Sequence, residues 1–204
     1  MNKNKKLPFL AVSVSLAFVL GAPIAFAQAG SPGDTNHSSR TASSSQAMSD
    51  MQFAKAAAQG GIAEVKLGQL SEDKGTSQQV KDFGKRMVAD HSKADERLKS
   101  AASGDKISLP EQMSAKDQAE YNHLSNLSGA TFDRAYARQM VLDHENDVAA
   151  FRHEANDGKD ASIKSFASQT LPTLEDHLKM ARQMYSGVSA TNHGAAGQKS
   201  HTGA

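Results

Sequence analysis

Three histidines and one glutamate stand where a helical chain would place hydrocarbon. His91, His144 and His177 each follow an aspartate, in the pairs Asp90-His91, Asp143-His144 and Asp176-His177. Around the first two pairs a whole phrase is repeated. Phe83-Gly84-Lys85-Arg86-Met87-Val88-Ala89-Asp90-His91 and Tyr136-Ala137-Arg138-Gln139-Met140-Val141-Leu142-Asp143-His144 share aromatic, small, basic, Met-Val and Asp-His residue types. The interval from Phe166 to His177 equals that from Phe53 to Glu64, so four segments follow one plan. A neutral imidazole offers one ring-nitrogen lone pair to a metal, and carboxylate plus imidazole groups projecting between helices are how such folds hold Zn, Cu, Fe or Mn. Glu64, His91, His144 and His177 are therefore the candidate metal ligands. A second reading of the same four residues stays open: they satisfy one another, or nearby hydroxyls and carbonyls, as a buried polar network that fixes helix register. The aspartates preceding the histidines are sequence neighbours and point away from them on a helix, so they are expected to face solvent or cap a neighbour.

Helices must carry these groups. Ser49-Asp50-Met51-Gln52 reads as a capping box, after which Phe53, Ala56, Gly60, Ala63, Leu67 and Leu70 recur at steps of three and four until Gly75. Thr76-Ser77-Gln78-Gln79 reads as a second capping box, with a stripe of Val80, Gly84, Met87, His91, Ala94 and Leu98 ending near Ser103-Gly104. A long connection follows, in which Ser114 caps a short helix running through Leu124. Ser128-Gly129 introduces a third long helix carrying Phe132, Tyr136, Met140, His144, Val148 and Phe151. Asp160 caps a fourth with Ile163, Ala167, Thr170, Leu174, His177, Ala181 and Met184, and Pro172 inside it predicts a kink or a break about one turn before His177. No segment alternates with period two. Gly60-Gly61 falls within the first helix, where it is expected to let a neighbouring helix approach.

The ends read differently from the middle. Lys3, Lys5 and Lys6, the apolar run from Leu7 to Leu20, and Ala25-Phe26-Ala27 form an export signal cleaved before Gln28, which predicts a periplasmic or secreted protein. The division expected is a signal peptide at 1–27, a disordered linker at 28–48, a helical domain at 49–185 and a disordered tail at 186–204. Without cysteine there are no disulfides and no thiolate ligands. The formal charge of +1 becomes −2 once the three signal lysines are gone (1 − 3), with acids and bases interspersed, so nucleic acid is not an expected partner. No second apolar run approaches the length of a membrane span, so no integral span is expected after processing. Neither a catalytic triad nor a glycine-rich phosphate loop is present.

Several motifs together carry a resemblance: Phe53-Ala54 with Gly60-Gly61-Ile62-Ala63-Glu64-Val65-Lys66-Leu67-Gly68, Met87-Val88-Ala89-Asp90-His91, Leu127-Ser128-Gly129 with Phe132-Asp133, and Leu171-Pro172-Thr173-Leu174 with His177-Leu178. Over residues 49–185 the chain resembles an uncharacterised family of exported bacterial proteins, often labelled outer-membrane or periplasmic proteins of unknown function and assigned a ferritin-like fold. The resemblance implies an all-α, ferritin-like four-helix bundle with a long crossover between helices 2 and 3, and no established activity. It departs from di-iron members of that fold, where Glu-x-x-His pairs supply ligands. Val88, Val141 and Leu174 stand three residues before the histidines here, which disfavours di-iron chemistry. The expected role is a non-enzymatic cell-envelope protein acting in binding or stress protection, its histidines organising the core; the alternative is a periplasmic metal-binding protein using Glu64, His91, His144 and His177.

Overall fold

Serine and aspartate side chains set where the helices begin. The computed structural model describes residues 49–196, with side chains as far as residue 190, and holds five helices in the order α1 (Asp50–Lys74), α2 (Gln78–Gly104), α3 (Ala115–Ser125), α4 (Gly129–Asp157) and α5 (Ala161–Ala196). No strand occurs among the described residues. Ser49 makes the anticipated capping box: its hydroxyl accepts from the Gln52 amide while the Gln52 side chain accepts from the Ser49 amide. Ser114 accepts from the Asp117 amide, and the Asp160 carboxylate accepts from the amides of Ser162 and Ile163. The expected signal peptide and the 28–48 linker lie outside the described residues.

Three expectations are corrected. The capping box anticipated over residues 76–79 does not form: the N-cap of α2 is Ser77, which makes no side-chain cap, and the Thr76 hydroxyl donates to Asp133. The carboxylate of Asp133, on α4, does that work from a distance, accepting from the amides of Thr76 (3.0 Å) and Ser77 (2.8 Å) and from the Thr76 hydroxyl (2.6 Å). The ionised carboxylate accepts all three bonds at once, and such charge-assisted bonds are stronger than those to a neutral hydroxyl, so the tertiary partner displaces the local one. Secondly, of the kink or break anticipated at Pro172 the break does not occur, since α5 continues through it. Thirdly, α5 does not stop at residue 185: Val188 is buried in the same apolar cluster as Met184, and the helix reaches Ala196.

Packing is closest where side chains vanish. A Cβ on Gly84 would lie 1.9 Å from the Ser71 hydroxyl and 2.6 Å from the Gly68 carbonyl, so α2 sits directly on the backbone of α1. Gly61 plays the same part lower down, where a Cβ would meet the Asp95 carboxylate, whereas Gly60 has nothing near it. Phe53, Ala63, Leu67 and Leu70 of the anticipated stripe are buried, and Ala54, Ala58 and Gly61 turn inward beside them while Ala56 stays exposed, so the buried face of α1 is wider than the stripe. The most extensive contacts join α1 with α2 and α4 with α5; α2 also packs on α5, and α3 lies in the long connection against α1 and α4.

The buried apolar residues form two clusters. One gathers Phe83, Met87, Phe132, Tyr136, Met140 and Met184; the other gathers Phe53, Leu98, Val148, Phe151, Phe166 and Leu174. His91 falls between Met87 and Ala94, His144 between Met140 and Val148, and His177 between Leu174 and Ala181. The imidazoles thus occupy a polar layer sandwiched between two apolar ones, which keeps them dry.

Candidate metal centre

Each histidine replaces an apolar residue on the inner stripe of its own helix, and packing carries all three to one point. His91 on α2, His144 on α4 and His177 on α5 are 6%, 0% and 1% exposed. Their ring centroids form a near-equilateral triangle with sides of 5.8 Å (His91 to His144), 5.4 Å (His91 to His177) and 5.4 Å (His144 to His177). One nitrogen from each ring lies within 4.8 Å of the others. A tetrahedral zinc shell, with Zn–N bonds of about 2.0–2.1 Å, needs those nitrogens roughly 3.3 Å apart. Small side-chain rotations close that gap.

The hydrogen bonds decide which nitrogens are available. His144 Nδ1 lies 2.8 Å from the Met140 carbonyl oxygen, to which it donates, so in the neutral ring Nε2 keeps the lone pair. His177 Nε2 lies 3.0 Å from Asp90 Oδ2 and donates to it, so Nδ1 keeps the lone pair. Those two lone-pair nitrogens, together with His91 Nε2, are buried and have no hydrogen-bond partner. A buried polar atom without a partner costs about 1–3 kcal/mol. The three rings therefore do not satisfy one another as a closed network; each keeps one buried nitrogen without a partner.

Electrostatics keep the rings neutral. Burial is the largest cause in every case. It pushes His144 down to about 4 and His91 well below the usual imidazole range, with the neighbouring imidazoles adding to the effect. His177 is lowered too, although Asp90 pulls against burial. Burial alone would raise the Asp90 carboxyl, but the bond from His177 and the Arg86 guanidinium override it and hold that group below the ordinary aspartate value. Asp90 thereby meets the requirement for an outer partner that orients a ligating imidazole and increases its basicity.

The four anticipated ligands do not all meet. His91, His144 and His177 come together, but Glu64 is not a member of the converging set. The charges bearing on Glu64 are Asp143, Asp147 and Asp117, while those bearing on His91 are His144, His177 and Asp90. Glu64 lines a separate cavity between α1, α3 and α4. Conversely, Asp90 was expected to face solvent or cap a neighbour, and it bonds His177 across the helix interface instead. The signal that could have found it was the repeated Asp-His pair itself. Asp176 is exposed, and Asp143 accepts from Gln139 on its own helix. His123 and His153 are exposed, and the side chains of His37, His193 and His201 lie outside the described residues.

A family model described as a domain of unknown function, DUF4142, matches residues 35–184. Among solved structures, the crystal structure of a DUF305 fragment from Deinococcus radiodurans matches with a TM-score of 0.58 at 16% sequence identity, covering 69% of this chain and 95% of that one. At such identity the likeness concerns the fold alone. No curated protein matches.

Proposed function

From the premise that the chain belongs to the DUF4142 family, whose function is unknown, we propose that it is a metal-binding protein that holds one borderline divalent cation, Zn2+ or Cu2+, on His91 Nε2, His144 Nε2 and His177 Nδ1. One observation carries this reading: three buried imidazoles bring one nitrogen each to within 4.8 Å of the others, and each ring holds a buried nitrogen without a hydrogen-bond partner. A structural network would pair these atoms, whereas a ligand set leaves them bare. Nitrogen donors suit zinc, copper, iron and nickel, while magnesium and calcium take oxygen. Three neutral ligands leave the cation's charge uncompensated, and the Asp90 carboxylate, one bond removed through His177, supplies part of the balance. The reading changes the ligand set anticipated from sequence by removing Glu64.

Around this centre we read the helices as a ferritin-like four-helix bundle, with α3 carried in the long crossover between the two helix pairs. The basic start, apolar run and Ala25-Phe26-Ala27 support export to the periplasm or beyond, where the protein would bind or sequester metal rather than catalyse a reaction. No helix of the described residues is long and apolar enough to cross a membrane.

The test uses protein purified without an affinity tag, stripped of metal, exposed to equimolar Zn2+ or Cu2+, and analysed by inductively coupled plasma mass spectrometry. One metal ion per chain is expected, falling to background in the His91→Ala, His144→Ala double variant. Retention of metal by the double variant, or none in the parent, would refute the proposal.

A further inference from the structure

The cavity that takes Glu64 away from the histidines is itself built like a binding site. It has a volume of about 210 Å³ and lies between α1, α3 and α4. Five carboxylates line it: Glu64 from α1, Asp117 and Glu120 from α3, and Asp143 and Asp147 from α4. Lys116 is the one basic residue on its wall, and its side chain is exposed. Glu64 is 3% exposed, and its Oε2 has no hydrogen-bond partner. A carboxylate driven this deep without a partner is costly unless something cationic joins it.

Two features discriminate among cations. Among the described residues, the set of three or more ligating groups that converge within 4.8 Å is the imidazole triad, and these carboxylates are not in it. Their oxygens are too spread to form the inner shell of a bare metal ion. The α1 wall is moreover hydrocarbon: Ala56, Gly60, Ala63 and Leu67 follow at steps of four, three and four along one helical face. Acidic groups around an apolar strip match a ligand with a positive charge at each end and methylenes between. The volume is that of roughly seven liquid waters at about 30 Å³ each, which accommodates a stem like that of a lysine side chain.

We propose that this cavity binds a short aliphatic diammonium compound, its ammonium groups on the carboxylates of α1, α3 and α4 and its methylenes on the Ala56–Leu67 strip. The electrostatics agree. Burial first, and then the neighbouring acids, raise Asp147 to about 7 and hold Glu64 well above the usual glutamate value, so the cavity favours an incoming positive charge. The site is separate from the imidazole triad and does not depend on it.

The experiment is isothermal titration of metal-free full-length protein with 1,4-diaminobutane at pH 8 and low salt, with butylamine, Mg2+ and Ca2+ as parallel probes. Saturable binding of one diamine per chain is expected, with butylamine weaker by tenfold or more. The Asp143→Asn, Asp147→Asn double variant should lose tenfold or more in diamine affinity, while His91→Ala should bind like the parent. The parent's preference for diamine over monoamine needs no variant and so does not hinge on folding. No diamine binding, equal binding of butylamine, saturation by Mg2+ or Ca2+ in its place, or an unchanged double variant would overturn the proposal. Loss of binding in His91→Ala would do so as well, by placing the diamine at the imidazoles.

Discussion

Asp90→Asn isolates the outer half of the proposed metal centre, because it keeps the size of the side chain and removes only its charge. In the parent, Asp90 Oδ2 accepts from His177 Nε2 at 3.0 Å, and its side chain is 17% exposed. Hydrogen bonds to charged groups contribute about 1.5–3 kcal/mol and neutral ones about 0.5–1.5, so the metal-free variant should lose about 1 kcal/mol. The effect on metal is larger, since loss of an outer partner weakens metal affinity about 10- to 100-fold. With free Zn2+ at 100 times the parental Kd, binding stabilises the parent by about 2.7 kcal/mol. A Kd raised tenfold leaves about 1.4 kcal/mol, and one raised 100-fold about 0.4 kcal/mol. At about 2–4 °C per kcal/mol for a chain of this size, the zinc-induced rise in Tm should fall from about 5–11 °C to about 1–6 °C. Thermal melts of both proteins, with and without zinc, read this directly. An Asp90→Asn variant whose zinc-induced shift equals the parent's would show that the carboxylate does not orient a ligand.

Further outcomes follow from other parts of the fold. His91→Leu replaces an unpartnered buried nitrogen with hydrocarbon of similar bulk, so urea melts should show metal-free stability within about 1 kcal/mol of the parent, or above it, while zinc binding is abolished; a loss beyond about 3 kcal/mol would point to a structural network instead. Asp147 has its folded pKa raised from 3.8 to about 7, so the folded state holds that proton more tightly, and the stability it lends is full below pH 4 and lost as pH rises through 7. Asp147→Asn should therefore gain on the parent as pH climbs from 4 to 8, and melts across that range that stay parallel would contradict the assignment. Gly84→Ala would drive a methyl into the Ser71 hydroxyl and the Gly68 carbonyl, costing about 1–3 kcal/mol in a chemical denaturation series; parental stability would show that α1 and α2 do not meet as described.

What the sequence disclosed was local. Ser49, Ser114 and Asp160 announced their helices because an N-cap is a bond between residues two or three apart, and the spacing of apolar residues placed each histidine on an inner stripe. What it hid depended on partners distant in the chain. Asp133 displaces the capping box expected at residues 76–79 from another helix. Asp90 points away from His91, as neighbours on a helix must, yet that same geometry carries it to His177 on α5. Glu64 shares its interval from an aromatic with His177, but it sits on the side of α1 that faces α3 and α4, and its carboxylate lines a different cavity. Pro172 carried the standard expectation for a proline inside a helix, yet it lies on the exposed side of α5 and the helix continues through it.

The origin of the three imidazoles bears on kinetics as well as equilibrium. They come from α2, α4 and α5, and thus from both of the helix pairs that make the most extensive contacts, α1 with α2 and α4 with α5. A cation gripped by all three would act as a rivet between the two pairs, which already share both apolar clusters, and prising them apart would mean breaking coordinate bonds as well as wetting that surface. Its influence would accordingly fall on the escape rate from the native basin, so that slow amide exchange at the seam reports occupancy more sensitively than a melting curve.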